Sequence, residues 1–203
     1  MAVVGFDLDM TLVDSSEGIT RSLLATCELF GAFPQAAEVT ATIGLPLTVV
    51  FPLWIPQIPY DQALEAYRAH YRVHGIPTTL PMPGAHEAVD IVRSAGGTVL
   101  VVSAKKIDFV EAVLNVVAIT VDVIVGDLFA EGKGAALLNY GAEVYVGDHP
   151  GDMVGARTAG AAAVGVSTGP ASAEDLWKSG ADVVLASLVE FPGWLGARID
   201  RTG

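Results

Sequence analysis

The sequence holds a single cysteine, Cys27, among 203 residues. No internal disulfide can form, so the fold rests on its apolar core, as expected of a protein from a reducing compartment. Basic residues are also scarce: 11 Lys and Arg stand against 23 Asp and Glu, a formal net charge of −12. That balance argues against nucleic acid or an anionic membrane as a partner, since both are bound by basic patches. Long apolar runs are missing despite a mean hydropathy of +0.51. The most apolar stretch, "FVEAVLNVVAITVDVIV", is broken by Glu111 and Asp122, so no membrane-spanning helix is expected. The opening "MAVVGFDLDM" lacks the basic region and cleavage site of a signal peptide, and a cytoplasmic location is expected.

What the chain does contain is a series of short apolar runs, each closed by a polar or glycine-containing turn. They are Val3–Phe6, Thr98–Val102, Val121–Val125, Glu143–Val146, Ala162–Val166 and Asp182–Leu185. Rich in Val, Ala and Gly, they read as strands of a sheet buried on both faces. Stretches with helical spacing lie between them. Ala85, Val89, Val92 and Ala95 share one face, and Val110, Val113, Leu114 and Val117 form another stripe. The alternation predicts an α/β fold with a doubly wound parallel, Rossmann-like sheet that binds ligands at the carboxyl ends of its strands. Asp7, Ser103 and Asp148 each follow such an end.

One interval breaks the alternation. From Ser15 to Met82 the patterns are helical and no strand is expected. Ile19, Leu23, Cys27 and Phe30 line one helix face, and Leu64, Tyr67 and Tyr71 line another. Asp14 and Glu17 have the spacing of a capping box, and prolines 46, 52, 56 and 59 exclude a long helix between the two faces. The expected organisation is an α/β core of residues 1–14 and 83–203 carrying a helical insertion, 15–82.

Four separated pieces carry chemistry: "DLDMTLVDS" after the first strand, "VVSAKK" after the second, "EGKGAAL" opening a helix, and "VYVGDHPGDM" ending the fourth strand. Two carboxylates as close as Asp7 and Asp9 need positive charge beside them. Together the four pieces resemble the haloacid dehalogenase-like hydrolases, and within them the phosphoglycolate-phosphatase-like branch; "TIGLPL" (42–47) is similar to a loop of that branch's helical cap. The resemblance implies a phosphatase for a small phosphorylated metabolite, phosphoglycolate being one candidate, acting through an aspartyl-phosphate as a monomer or homodimer. It gives Asp7 the role of nucleophile and Asp9 that of acid and base. Thr11, Ser103 and backbone N–H groups, with Ala104 beside them, would hold the phosphoryl oxygens. Lys133 would neutralise charge, with Lys105 or Lys106 as the alternative lysine. A phosphate repels an anionic nucleophile unless a cation screens both, and Mg2+ favours oxygen ligands. Asp7, Asp148 and Asp152 can supply them, and the resemblance adds the Asp9 backbone carbonyl.

The chain departs from the family pattern at Met10 and Gly134, where glycine and proline are usual, and at His149 and Pro150. A phosphomutase would need a cap holding two phosphate positions, and a non-catalytic protein keeping the fold is the reading from another class. A dehalogenase has no need of the metal-site acids, and a phosphonatase normally has a cap lysine, which residues 15–82 lack. Arg68 and Arg72, one turn apart, read as a solvated face. His74 reads as a core histidine and His86 as a helix-start residue. Trp177, Trp194 and Cys27 read as packing residues, Asp127 as a loop residue beside the site. Phe51 and Trp54 could line a pocket, a cap core or a dimer surface.

Overall fold

A computed structural model of the chain describes residues 2–202, with side chains described for all of these except Glu131 and residues 199–202. Strand β1 (Val3–Phe6) leads through a tight turn into the two-residue β2 (Val13–Asp14), then into helices α1 (Ser16–Leu29), α2 (Ala36–Thr40), α3 (Leu47–Trp54) and α4 (Tyr60–His70). A π turn, Tyr71–Gly75, and a 3-10 turn, Ile76–Thr78, precede β3 (Leu80–Pro81) and α5 (Ala85–Ser94). The alternation then resumes with β4 (Thr98–Val102), α6 (Ile107–Val116), β5 (Val123–Val125), α7 (Glu131–Asn139), β6 (Ala142–Gly147) and α8 (Pro150–Ala159). It ends with β7 (Ala162–Val166), α9 (Ala173–Lys178), β8 (Val183–Leu185) and α10 (Phe191–Thr202).

Six strands form one parallel sheet in the order β5-β4-β1-β6-β7-β8. Side chains alternate between its faces. Val4, Phe6, Val99, Val101, Val144 and Val146 join one apolar cluster with α5, α6 and α10. Leu100, Val102, Tyr145 and Ala163 join a second cluster with α7, α8 and α9. Helices therefore cover both faces, which explains why β4 reads as an unbroken apolar run: Val99 to Val102 are all fully buried. The strand order reverses at β1, between β4 and β6, so the carboxyl ends of these three strands border the crevice where such sheets bind ligands.

Two strands start later than their apolar runs suggest, for one reason. Asp122 accepts a hydrogen bond from the Val99 N–H and pairs with Arg93; Asp182 accepts from the Ala163 N–H and pairs with Arg157. Each carboxylate takes a neighbouring strand's first donor, so regular pairing begins one residue on.

The segment between β2 and β3 is helical as expected, with one correction. The chain enters and leaves it through an antiparallel two-residue ladder, Val13 with Pro81 and Asp14 with Leu80, so a short strand does lie before Met82. The capping box at Asp14 and Glu17 does not form. Asp14 Oδ1 accepts from the Ser16 N–H and hydroxyl instead, and Ser15, the N-cap of α1, directs its own hydroxyl elsewhere. Pro46 and Pro59 sit at the N-caps of α3 and α4, where a missing N–H costs nothing. Pro52 lies inside α3, which ends two residues later.

Cys27 is buried, Trp194 packs on Phe191 and His86 is exposed at the start of α5. Trp177 is half exposed rather than packed. His74 is no core residue either: it is exposed and lies against His70, because the π turn rotates it off the stripe that buries Tyr67 and Tyr71. Phe51 is in the apolar core, and Trp54 packs against it. No helix is long and apolar enough to cross a membrane among the described residues.

Candidate active site

Asp7 follows β1, Ser103 follows β4 and Asp148 follows β6, so parallel pairing alone brings the three together. Asp7 is pinned by its N–H, which donates to the Val146 carbonyl at 2.8 Å. Leu8 turns into the core, and alternation leaves Asp7 and Asp9 on the other side, bordering a cavity of about 160 Å3. The helical segment forms the opposite wall.

One carboxylate oxygen from each of Asp7, Asp148 and Asp152 lies within 4.8 Å of the others, and all three residues are buried. Lys133, in the first turn of α7, reaches into this cluster: its Nζ lies 2.7 Å from Asp7 Oδ1 and 2.7 Å from Asp152 Oδ1. Thr11 Oγ1 donates to Asp148 Oδ1 at 3.1 Å. Tyr145 donates to the Val102 carbonyl at 2.8 Å and stands 3.4 Å from Asp152 Oδ1. Burial pushes the Asp7 carboxyl up to about 7, against the pull of Lys133 and with a push from Asp152. Burial, Asp7 and Asp152 together hold Asp148 well above the usual carboxylate range. Burial opposes the charge on Lys133, but Asp152 and Asp7 outweigh it and the ammonium persists.

Three buried carboxylates facing one ammonium leave an excess of acidic groups over cations in a buried site. An all-oxygen donor set of this kind fits a hard divalent cation such as Mg2+. The Asp9 carboxylate is not part of the cluster. Its Oδ1 accepts from Ser15 Oγ at 2.5 Å and from Lys105 Nζ at 2.8 Å. Lys105 in turn donates to the Tyr71 hydroxyl at 2.7 Å and lies 4.3 Å from the centre of its ring. Burial disfavours the Lys105 charge, yet Asp9, Tyr71 and Tyr67 raise its pKa above the ordinary value.

The structure thus separates the three lysines left as alternatives. Lys133 meets Asp7, Lys105 meets Asp9, and Lys106 pairs at the rim with Asp108, 2.9 Å away. Thr11 differs from expectation: it is fully buried, does not border the cavity, and directs its hydroxyl proton to Asp148. A buried acid without a donor is costly, and Thr11 is the donor at hand. Ser103 and Ala104 do border the cavity; Ser103 Oγ accepts from the Lys105 N–H, which leaves its own proton free. Arg68 also lines the cavity and pairs with Asp127 at 3.7 Å.

Sequence reasoning missed several supports. Tyr71 was read only as an apolar-face residue. Gly169 was not singled out, although a Cβ there would overlap the Asp148 carboxylate. Its signal was the "STGP" turn after β7, another strand end. The unusual Gly134 has a packing reason, since a Cβ there would collide with Thr158 of α8 and push apart the helices that carry Lys133 and Asp152. Met10 sits at φ 61°, the region that favours glycine, which accounts for the usual residue there. His149 is the N-cap of α8: its Nδ1 accepts from the Gly151 N–H, and Pro150 occupies the first helical position.

A parallel sheet reversing at an acid-bearing strand thus brings acids and an ammonium from three segments together at the carboxyl ends of its strands, an α/β site with donors for a cation beside a carboxylate. Comparison with known proteins agrees. The model of the haloacid dehalogenase-like hydrolase family matches residues 4–166, and the chain belongs to that family. "Probable phosphatase IndB" of Dickeya dadantii is 29% identical over 211 residues, covering 94% of this chain and 92% of that protein. A phosphoglycolate phosphatase of Agrobacterium fabrum is 29% identical over 185 residues, covering 81% of this chain and 79% of its own length. A haloacid dehalogenase-like family hydrolase of Streptococcus pneumoniae shares the fold, with a TM-score of 0.85 at 24% identity over 96% of this chain and 98% of that one.

Proposed function

We propose that this protein is a Mg2+-dependent phosphatase that hydrolyses a small phosphorylated metabolite through an aspartyl-phosphate on Asp7. One observation carries the reading: Asp7 and Asp9 border the same cavity, yet each is held by its own buried ammonium in its own surroundings. The carboxylates of Asp7, Asp148 and Asp152, with the Asp9 carbonyl, would hold the metal, which screens the charge between an anionic nucleophile and its phosphate.

This chain's own residues do the rest. An Asp7 carboxylate oxygen attacks phosphorus, the new O–P bond forms, and the bond to the alcohol oxygen breaks. Asp9 delivers a proton to that departing oxygen. Lys105 and Ser15 both hold Oδ1, which leaves Asp9 Oδ2 without a protein partner among the described residues. In the second half, Asp9 takes a proton from the water that attacks the aspartyl-phosphate, releasing phosphate and restoring Asp7. Lys133 offsets negative charge at Asp7, while Ser103 and the backbone at Ala104, which border the cavity, would meet phosphoryl oxygens. Residues 15–82 act as a cap over the core of 1–14 and 83–203, excluding water during the reaction.

The test is release of p-nitrophenol from its phosphate ester by purified protein. Hydrolysis should require Mg2+, vanish in chelator, and fall at least about a thousandfold in Asp7→Asn, since removal of a covalent nucleophile costs several kcal/mol of transition-state stabilisation. Undiminished turnover by Asp7→Asn rejects the reading. A phosphomutase is not favoured: a second phosphate position would need unpaired cations opposite Asp7, and those bordering the cavity are already paired.

A further inference from the structure

The wall that faces the organic half of a substrate comes from the helical segment, and its chemistry is one-sided. Ile19 and Leu23 of α1, Ile43 and Leu45 of the following turns, and Leu47 and Val50 of α3 all border the cavity with hydrocarbon. Four cationic side chains border it too, and each already faces a carboxylate. Lys133 and Lys105 hold Asp7 and Asp9 at 2.7 and 2.8 Å in the buried centre. Lys106 and Arg68 pair with Asp108 and Asp127 at 2.9 and 3.7 Å, at a rim where water already solvates them.

The donors left over are neutral. Tyr67 borders the cavity, and its hydroxyl has no hydrogen-bond partner among the described residues. His149 accepts at Nδ1 from a backbone N–H, which fixes the ring in the tautomer that carries its proton on Nε2. That Nε2 likewise has no protein partner among the described residues.

We infer that the alcohol half of the substrate is uncharged and mainly hydrocarbon: a short alkyl, branched or aryl phosphate monoester carrying at most one neutral oxygen. This inference rests on the phosphatase reading above and narrows it. A carboxylate or second phosphate on the leaving group would lie near Asp9 without a free cation to meet it, whereas an apolar group would exchange water for Ile, Leu and Val side chains. Tyr67 and His149 can donate to a hydroxyl, ether or carbonyl oxygen on such a group. Phosphoglycolate, with its second anion, fits this wall poorly.

The experiment compares kcat/KM of the Mg2+-loaded protein for n-butyl phosphate, glycerol 1-phosphate and phosphoglycolate, with p-nitrophenyl phosphate as a control. Butyl phosphate should lead both polar esters by at least tenfold, although butanol is a poorer leaving group than glycerol. Leu45→Arg places a cation at an exposed position of the wall and should shrink the lead over phosphoglycolate at least threefold. Hydrolysis of the control with parity among the three esters, or with a polar ester preferred, overturns this inference and leaves the phosphatase reading standing. Absence of Mg2+-dependent hydrolysis of every ester, the control included, overturns both.

Discussion

Asp7 and Asp9 are two residues apart, and their neighbours give them different surroundings. Asp7 sits among two other acids and one lysine, in surroundings suited to a cation. Asp9 is turned from that cluster by Ser15 and Lys105. If Asp9 protonates the alcohol, its loss matters most where the alcohol leaves as a strong base. Asp9→Asn should slow n-butyl phosphate hydrolysis at least tenfold more than p-nitrophenyl phosphate hydrolysis. Equal slowing of the two esters contradicts the acid role. The pair of aspartates was legible in the sequence, because D-x-D-x-T at a strand end is compact and specific. Lys105 as the partner of Asp9 was not. Two adjacent lysines after β4 look alike in sequence, and the turn after the strand decides which one is buried.

At the level of elements, the junction between α4 and α6 carries a chain of contacts into the site. Tyr71 begins the π turn, stacks on Tyr67 with ring centres 5.7 Å apart, lies 5.6 Å from Phe109 of α6, and accepts from Lys105. One residue at the end of the helical segment therefore sets both its packing on α6 and the position of the ammonium on Asp9. Tyr71→Phe keeps the ring and removes the hydroxyl that accepts from Lys105. It should lower stability by about 1.5 kcal/mol, the scale of a hydrogen bond to a charged group, and reduce kcat on butyl phosphate more than it changes KM. Urea denaturation and steady-state kinetics check the two halves; an unchanged kcat would show that Lys105 needs no help from Tyr71. Exchange of residues 42–60, which supply much of the apolar wall, should alter substrate preference while leaving the Mg2+ requirement intact. The strand pattern and the helical insertion were readable here from periodicity. The π turn was not, since a one-residue change in helical pitch leaves no mark on hydrophobic spacing, and His74 was misplaced for that reason.

For the molecule as a whole, the acid cluster makes stability depend on metal and pH together. In chelator the folded protein keeps Asp7 protonated up to about 7, whereas an ordinary aspartate releases its proton near 3.8. Between these values the native state binds the extra proton, so stability falls as pH rises, and the full penalty is present above about 7. Asp148 acts in the same direction. The chelated protein should therefore be more stable at pH 5 than at pH 7.5, by about 2.5 kcal/mol from Asp7 alone. Mg2+ should raise the urea midpoint more at pH 7.5, because it binds the deprotonated acids. A chelated midpoint that climbs from pH 5 to pH 7.5 rules this out.

The sequence by itself determined the sheet, its strand limits to within two residues, the helical insertion, and the acids that follow β1 and β6. These follow from alternation, from helical spacing and from short motifs, all of which are local. The tertiary structure alone decided that Lys105 holds Asp9, that Thr11 supports Asp148 rather than facing the cavity, and that the cavity's cations are all paired. Each of these depends on which of several chemically equivalent side chains comes within 3 or 4 Å of a residue far away in the chain. That choice is made when helices and strands pack, and no local pattern records it.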